Sequence, residues 1–218
     1  MTQLTLHLDG REVPVGIDTV IVAGWTGRDR DAVEKHIAEL GAVGVAPPSS
    51  VPVFYRVSAS RMTTAPTIES PSASSGEVEP VLLHHDGRLW LGVGSDHTDR
   101  EVETYRVAVS KQLCDKPLAS ELWPYEEVAE HWDRLVLRSW IDDDVLYQEG
   151  SLAGLLHPDD LLPLAEPPPR DGTIVFCGTV AAIGGIRSAG TFRYALVDPV
   201  LDRTISARYT MRPLPLVS

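Results

Sequence analysis

The sequence predicts a β-rich α+β fold in one unit. Three observations carry that expectation. Short apolar–polar alternations separated by turn signals recur along the 218 residues, helical periodicity is confined to a few brief stretches, and no repeat or linker divides the chain. At about 100–200 residues per domain, this length accommodates a single buried core.

The elements follow in order. Residues 4–8 (LTLHL) alternate, Asp9-Gly10 is a hairpin turn signal, and Val13–Ile17 returns. Thr19–Ala23 is a short apolar strand. In residues 27–41, Val33, Ile37 and Leu40 fall at i, i+4 and i+7, one face of a helix, and Gly41 is placed to end it. Val53–Val57 reads as a strand and Ser58–Ser75, rich in Ser, Thr and Pro, as a long loop of the kind that carries function. Glu77–His84, an Asp86-Gly87 turn and Leu89–Gly94 form a hairpin. Thr98–Lys111 reads as a helix and Trp123–Trp132 as another. Leu135–Trp140 and Val145–Gln148 form a further hairpin, Asp159–Leu164 is briefly helical, and three prolines at 167–169 make a stiff break. Thr173–Cys177, Thr191–Val197 and Ile205–Met211 are late strands.

Composition removes several classes of function. Nineteen Lys+Arg against 31 Asp+Glu give a net charge of −12, which argues against nucleic acid or an anionic membrane as the main partner, since both need clustered cations. No apolar run approaches the roughly 20 residues of a membrane span. The start, MTQLTLHLDGREV, lacks the basic-then-apolar layout of a signal peptide, so a cytoplasmic protein is expected. Cys114 and Cys177 have no CxxC spacing and support neither a zinc knuckle nor a disulfide framework.

Candidate chemistry begins at Glu77-Val78-Glu79. On a strand, residues i and i+2 project from one face, so both carboxylates point to one place, roughly 5–7 Å apart. A solvated strand edge explains such a pair as well as a bound cation does. Asp96, ending the next strand of the hairpin, adds a third carboxylate, and three converging oxygen ligands suit a hard divalent ion, Mg²⁺, Mn²⁺ or Ca²⁺. Arg100 and Lys111 follow on the adjacent segment. They are either solvated helix charges or anchors for an anionic substrate, for which Arg offers a bidentate fork. His36 and Glu39 share a helix face at i and i+3, where a carboxylate can orient an imidazole as a general base, or be an incidental neighbour. Gly178-Thr179 follows a strand, as a plain turn or as a place where backbone and hydroxyl meet an anion.

In their order along the chain these signals resemble the fumarylacetoacetate hydrolase family, particularly its compact acylpyruvase and oxaloacetate decarboxylase members. Gly27-Arg28-Asp29 precedes His36-Ile37-Ala38-Glu39 as the family's GRN precedes HxxE on a lid helix, with about one extra helical turn between. Pro52-Val53-Phe54-Tyr55 matches a Phe-Tyr strand, Glu77 and Glu79 the ExE strand, and Asp96 and Arg100 the Asp-x-x-x-Arg element. Lys111 through Pro117, Gln148-Glu149-Gly150 and Asp171–Thr179 match later elements, so the resemblance spans residues 20–185. Glu101, Glu103 and Val180 stand where the family has Asp, Gln and Pro, and Val53 where true fumarylacetoacetate hydrolases place a further Asp ligand.

The resemblance implies a β-roll of mixed sheets in one domain, with a hairpin and lid helix over residues 1–50 and the roll over 51–218, as a homodimer. It implies a divalent cation, Mg²⁺ first and Mn²⁺ or Ca²⁺ next, on Glu77, Glu79 and Asp96. His36, Glu39 and Lys111 would be catalytic, and Arg100, Gln148, Gly178 and Thr179 would bind substrate. The implied activity is hydrolysis of a C–C bond in a 1,3-dicarbonyl or 2-oxo acid through an enolate. Decarboxylation, enol–keto tautomerisation and a non-catalytic binding relative are the alternatives.

Overall fold

The computed structural model describes residues 1–42, 47–142 and 144–217; the side chains of His36, Leu40 and Ala42 lie outside the described residues. β1 (Thr2–Leu8) and β2 (Arg11–Ile17) form the first hairpin, turned by Asp9 and Gly10 at φ 52° and 72°, as a two-residue turn of this kind demands. β3 (Thr19–Gly24) leads to α1 (Arg30–Ala42), which Asp29 caps through its carboxylate on the Ala32 N–H at 3.1 Å. β4 (Val53–Val57), β5 (Met62–Thr63), β6 (Thr67–Pro71) and β7 (Ser74–Ser75) follow. The hairpin of β8 (Val78–His85) and β9 (Arg88–Ser95) is next, then β10 (Thr98–Asp99), α2 (Arg100–Tyr105) and α3 (Val107–Leu113). β11 (Lys116–Pro117), β12 (Glu121–Pro124), β13 (Val136–Ile141), β14 (Val145–Ser151), α4 (Pro158–Leu161), β15 (Thr173–Phe176), β16 (Thr191–Asp198) and β17 (Arg203–Leu214) complete the order.

Two mixed sheets organise the chain. The larger has the order β2-β1-β12-β9-β8-β15-β3-β4, the smaller β14-β13-β16-β17-β6. The larger is apolar on both faces: in β8, Leu82 enters one core while Val81 and Leu83 enter the other, as the two-residue period requires. One core, from Leu4 and Val15 through Leu83 and Ile174 to Val57, takes side chains from every strand of the larger sheet, including both edges. A sheet whose two edges meet one cluster is strongly curled. The second core joins its other face to Leu137, Phe192, Leu196 and Ile205 of the smaller sheet, with Trp132 fully buried between. Among the described residues no helix is long and apolar enough to cross a membrane.

Three segments differ from the sequence reading. Residues 58–75 are not one loop: β6 pairs in parallel with β17, burying Ile68 and Ser70 on one side while Glu69 faces out. That pairing is made with a strand far along the chain, so local composition carried no sign of it. Residues 98–111 are not one helix. β10 pairs with β7, the Asp99 carboxylate accepts the Val102 N–H at 2.9 Å to start α2, and extended backbone at Arg106 (φ −160°, ψ 105°) separates α2 from α3. Residues 123–132 are not an α-helix either. Trp123 and Pro124 belong to β12, held against β9, and short 3₁₀ turns follow at 125–127 and 129–134.

Candidate active site

The β8–β9 hairpin gathers the carboxylates. Glu79 lies opposite Gly94 in the ladder, and the Asp96 N–H donates to the Glu77 carbonyl at 2.9 Å where the hairpin opens. Glu79 and Asp96 are buried and Glu77 largely so. Each has a partner from this chain. The Gly178 N–H donates to Glu79 Oε2 at 2.7 Å, Arg100 Nη2 stands 3.0 Å from Glu77 Oε2, and Lys111 Nζ contacts Asp96 Oδ2 directly. The second Asp96 oxygen, Oδ1, is buried and without a hydrogen bond; Lys116 Nζ stands 3.3 Å away, off the hydrogen-bond direction.

Mutual charge sets the ionisation of this group. Burial, and then the charge of Asp96, push the Glu79 carboxyl well above the usual range. Burial alone would do the same to Asp96, but the ammonium charges of Lys111 and Lys116 outweigh it and hold Asp96 at about 2. Lys111, buried, is pushed up by Asp96, Glu77 and Glu79 against the cost of burial, so it is a firmly protonated ammonium.

The flanking elements aim the cations. Arg100 opens α2, where the β10–β7 pair sets its start: Nε donates to Ser75 Oγ at 2.7 Å and Nη1 to Glu103 Oε2 at 2.8 Å, while Nη2, buried and without a hydrogen bond, meets Glu77 as an ion pair. Lys111 comes from α3, its Nζ 5.8 Å from the centroid of the Tyr55 ring on β4.

The two polar residues at the floor bind each other. Gln148, fully buried on β14, accepts from the Val78 N–H and Ser139 Oγ, each at 2.9 Å, and donates to Thr179 Oγ1 at 2.8 Å and the Val180 carbonyl at 2.7 Å. Thr179 in turn donates to the Val78 carbonyl at 2.7 Å. All four amide positions of Gln148 are thereby used inside the protein. Gly178 sits at φ +101°, and a Cβ there would lie 1.9 Å from Thr26 Oγ1.

The structure thus brings together Glu77, Glu79, Asp96, Arg100, Lys111, Gln148, Gly178 and Thr179. The side chain of His36 lies outside the described residues; Glu39, on the same helix, is exposed, 3.9 Å from Lys35 Nζ. Every described side chain of α1 is exposed or half-buried. Of the other histidines, His97 is enclosed behind the site, Nδ1 on Tyr209 OH at 2.9 Å and Nε2 on Ser74 Oγ at 2.8 Å. Burial and the nearby cations hold it down at about 3, so its ring is neutral. His84 and His85 lie at the opposite end of the β8–β9 hairpin. Sequence reasoning missed Tyr55 and Lys116. Tyr55 was legible in the Phe-Tyr strand, whereas Lys116 has no local signature.

Comparison with solved structures assigns the fold. A protein from Oleispira antarctica, provisionally assigned as a fumarylacetoacetate isomerase/hydrolase, superposes with a TM-score of 0.68 at 19% identity, over 96% of this chain and 100% of that one. A yeast protein of the fumarylacetoacetate hydrolase family gives 0.66 at 14% identity, over 92% and 95%. A 2-keto-3-deoxy-D-arabinonate dehydratase complexed with magnesium and 2,5-dioxopentanoate gives 0.62 at 14% identity, over 94% and 77%. The molecule has the fumarylacetoacetate hydrolase fold. No curated protein matches its sequence. By sequence the chain belongs to the family of proteins of unknown function DUF2848, whose model matches residues 23–209.

That fold raises the question of a metal. Among the described residues no three His, Cys, Asp or Glu side chains are arranged as a ready ligand set, and the chain's own cations and amides pair with the three carboxylates. The donor chemistry nevertheless fits a hard divalent cation. All three groups are carboxylates, Asp96 Oδ1 is buried without a bond, and Glu79 carries the repulsion of its anionic neighbours, which a cation would relieve.

Proposed function

We propose that this chain is a metal-dependent enzyme that cleaves a C–C bond in a 1,3-dicarbonyl or 2-oxo acid of the acylpyruvate type, through an enolate. The observation that carries this reading is the buried Asp96–Lys111 pair beside Glu77 and Glu79, with one Asp96 oxygen left unbonded. Glu77, Glu79 and Asp96 would hold the ion, Mg²⁺ first among hard divalent cations. Bound there, it supplies Lewis acidity toward the enolate charge.

The chain's own groups do the rest. The Gly178 N–H fixes Glu79, and Gln148 fixes Thr179 at the floor. Released from Asp96, the Lys111 ammonium stabilises the developing oxyanion or protonates the departing carbanion. Arg100 meets the substrate carboxylate by exchanging Glu103, the more exposed of its two acidic partners. His36, oriented by Glu39, takes the proton of the attacking water, and α1 closes over the site to exclude solvent. A homodimer in the cytoplasm, with no nucleic-acid or membrane partner, belongs to the same reading.

The test is a panel of acylpyruvates, oxaloacetate and enolised diketones with Mg²⁺ or Mn²⁺, with chelator as control. Hydrolysis products that vanish with chelator, and fall at least a hundredfold in Lys111→Met, are expected. Carbon dioxide or isomerised diketone as sole product would replace hydrolysis by decarboxylation or tautomerisation. No turnover on any member would overturn the reading.

A further inference from the structure

Lys116 is fully buried in β11, which pairs in parallel with β5. Its Nζ donates to the carbonyls of His97 and Lys111, each at 2.6 Å, and of Cys114 at 3.1 Å. Carbonyl oxygens only accept, and a neutral amine has only two hydrogens, so three such bonds require the ammonium form. All its protons are spent on carbonyls. It therefore reaches Asp96 Oδ1, 3.3 Å away, as charge and not as a donor.

The two ammonium groups beside Asp96 differ in freedom. Lys111 contacts Asp96 from α3, spends no proton on the carbonyls that hold Lys116, and keeps a small exposed surface. Lys116 is held by oxygens from the 96–97 turn, from α3 and from the segment after it, and has no exposed surface to leave by. Lys116 therefore places a fixed positive charge 3.3 Å from Asp96 Oδ1 that the surrounding carbonyls hold in place.

We infer that Lys116 is a specificity-determining residue for the cation, its captive ammonium setting the fixed charge of the three-carboxylate site so that divalent ions are accepted and trivalent ions disfavoured. This rests on the reading that Glu77, Glu79 and Asp96 hold a cation. Coulomb repulsion scales with the charge of the incoming ion, so removing Lys116 helps a trivalent ion more than a divalent one of similar size.

The experiment titrates the full chain with Mn²⁺, followed by electron paramagnetic resonance, and with Tb³⁺, followed by its luminescence. Neither readout involves turnover. The wild type is expected to bind Mn²⁺ and to bind Tb³⁺ no more than about tenfold more tightly. Lys116→Met is expected to bind both ions more tightly, with the gain for Tb³⁺ at least about tenfold larger than for Mn²⁺. In Lys116→Ala, methylammonium, which can enter the vacated space, reverses that gain and tetramethylammonium does not. A folded variant with the wild-type ratio of affinities overturns the inference and leaves the carboxylate site standing. Should both variants fail to fold, the wild type decides: Tb³⁺ held more than about tenfold more tightly than Mn²⁺ overturns it. A wild type that binds neither ion overturns the carboxylate reading itself.

Discussion

The Gly178 amide donates a 2.7 Å hydrogen bond to Glu79 Oε2, joining the turn after β15 to β8 across 99 residues of sequence. Two independent constraints require glycine at that turn. The backbone is at φ +101°, and a Cβ would stand 1.9 Å from Thr26 Oγ1. Gly178→Ala is expected to cost about 2–4 kcal/mol of stability in urea unfolding. A cost below about 0.5 kcal/mol would show that the turn shifts freely and that its amide does not fix Glu79.

Gln148 spans β14, β13, β8 and the segment after β15 with four hydrogen bonds and no exposure to solvent. Gln148→Leu keeps most of the volume but leaves the Val78 N–H and the Val180 carbonyl without these bonds. Unfolding free energy is expected to fall by about 2–4 kcal/mol. Wild-type stability in this variant would rule out the brace.

Asp96 balances two buried ammonium groups. Asp96→Ala leaves both without their carboxylate and is expected to cost about 3–5 kcal/mol. Adding Lys111→Met should recover part of that loss, because one uncompensated charge is then gone. Additive losses in the double-mutant cycle would show that the pair is not coupled.

Asp198 is one source of acid sensitivity. Burial would raise its carboxyl, but the His131 contact at 3.1 Å, the N–H groups of Leu201 and Val200, and Arg203 hold it below its ordinary 3.8. A carboxyl depressed in the folded state contributes stability above its unfolded pKa and loses it as pH falls through the folded one. The melting temperature should therefore drop below about pH 4, and less steeply in Asp198→Asn, which should also be less stable at pH 6. Parallel curves for the two proteins would contradict this assignment.

What local sequence could specify was legible. Asp86 and Gly87, at φ 51° and 67°, make the turn their dipeptide announces, and the alternation on either side is the β8–β9 hairpin. The three carboxylates were legible for the same reason: i and i+2 on a strand share a face, and a hairpin brings the end of the next strand alongside. Thr67–Pro71 was not legible, since its partner strand ends at Leu214 and its own residues look like loop. Trp123 was misread because apolar spacing alone does not separate a helix from a strand pinned between β1 and β9. Lys116 shows the limit most plainly. A lysine before a proline resembles a surface turn, and only the tertiary fold brings the His97 carbonyl to join those of Lys111 and Cys114 around it.

The parallel seam between β6 and β17 has a bearing on how the chain matures at the ribosome. Thr67 through Pro71 cannot settle until residues 210–214 have been made, more than half the chain later. The smaller sheet therefore lacks its last ladder until Leu214 has been made. Until then Ile68 and its neighbours wait uncovered, which makes slow, chaperone-dependent maturation the natural expectation for so non-local a topology.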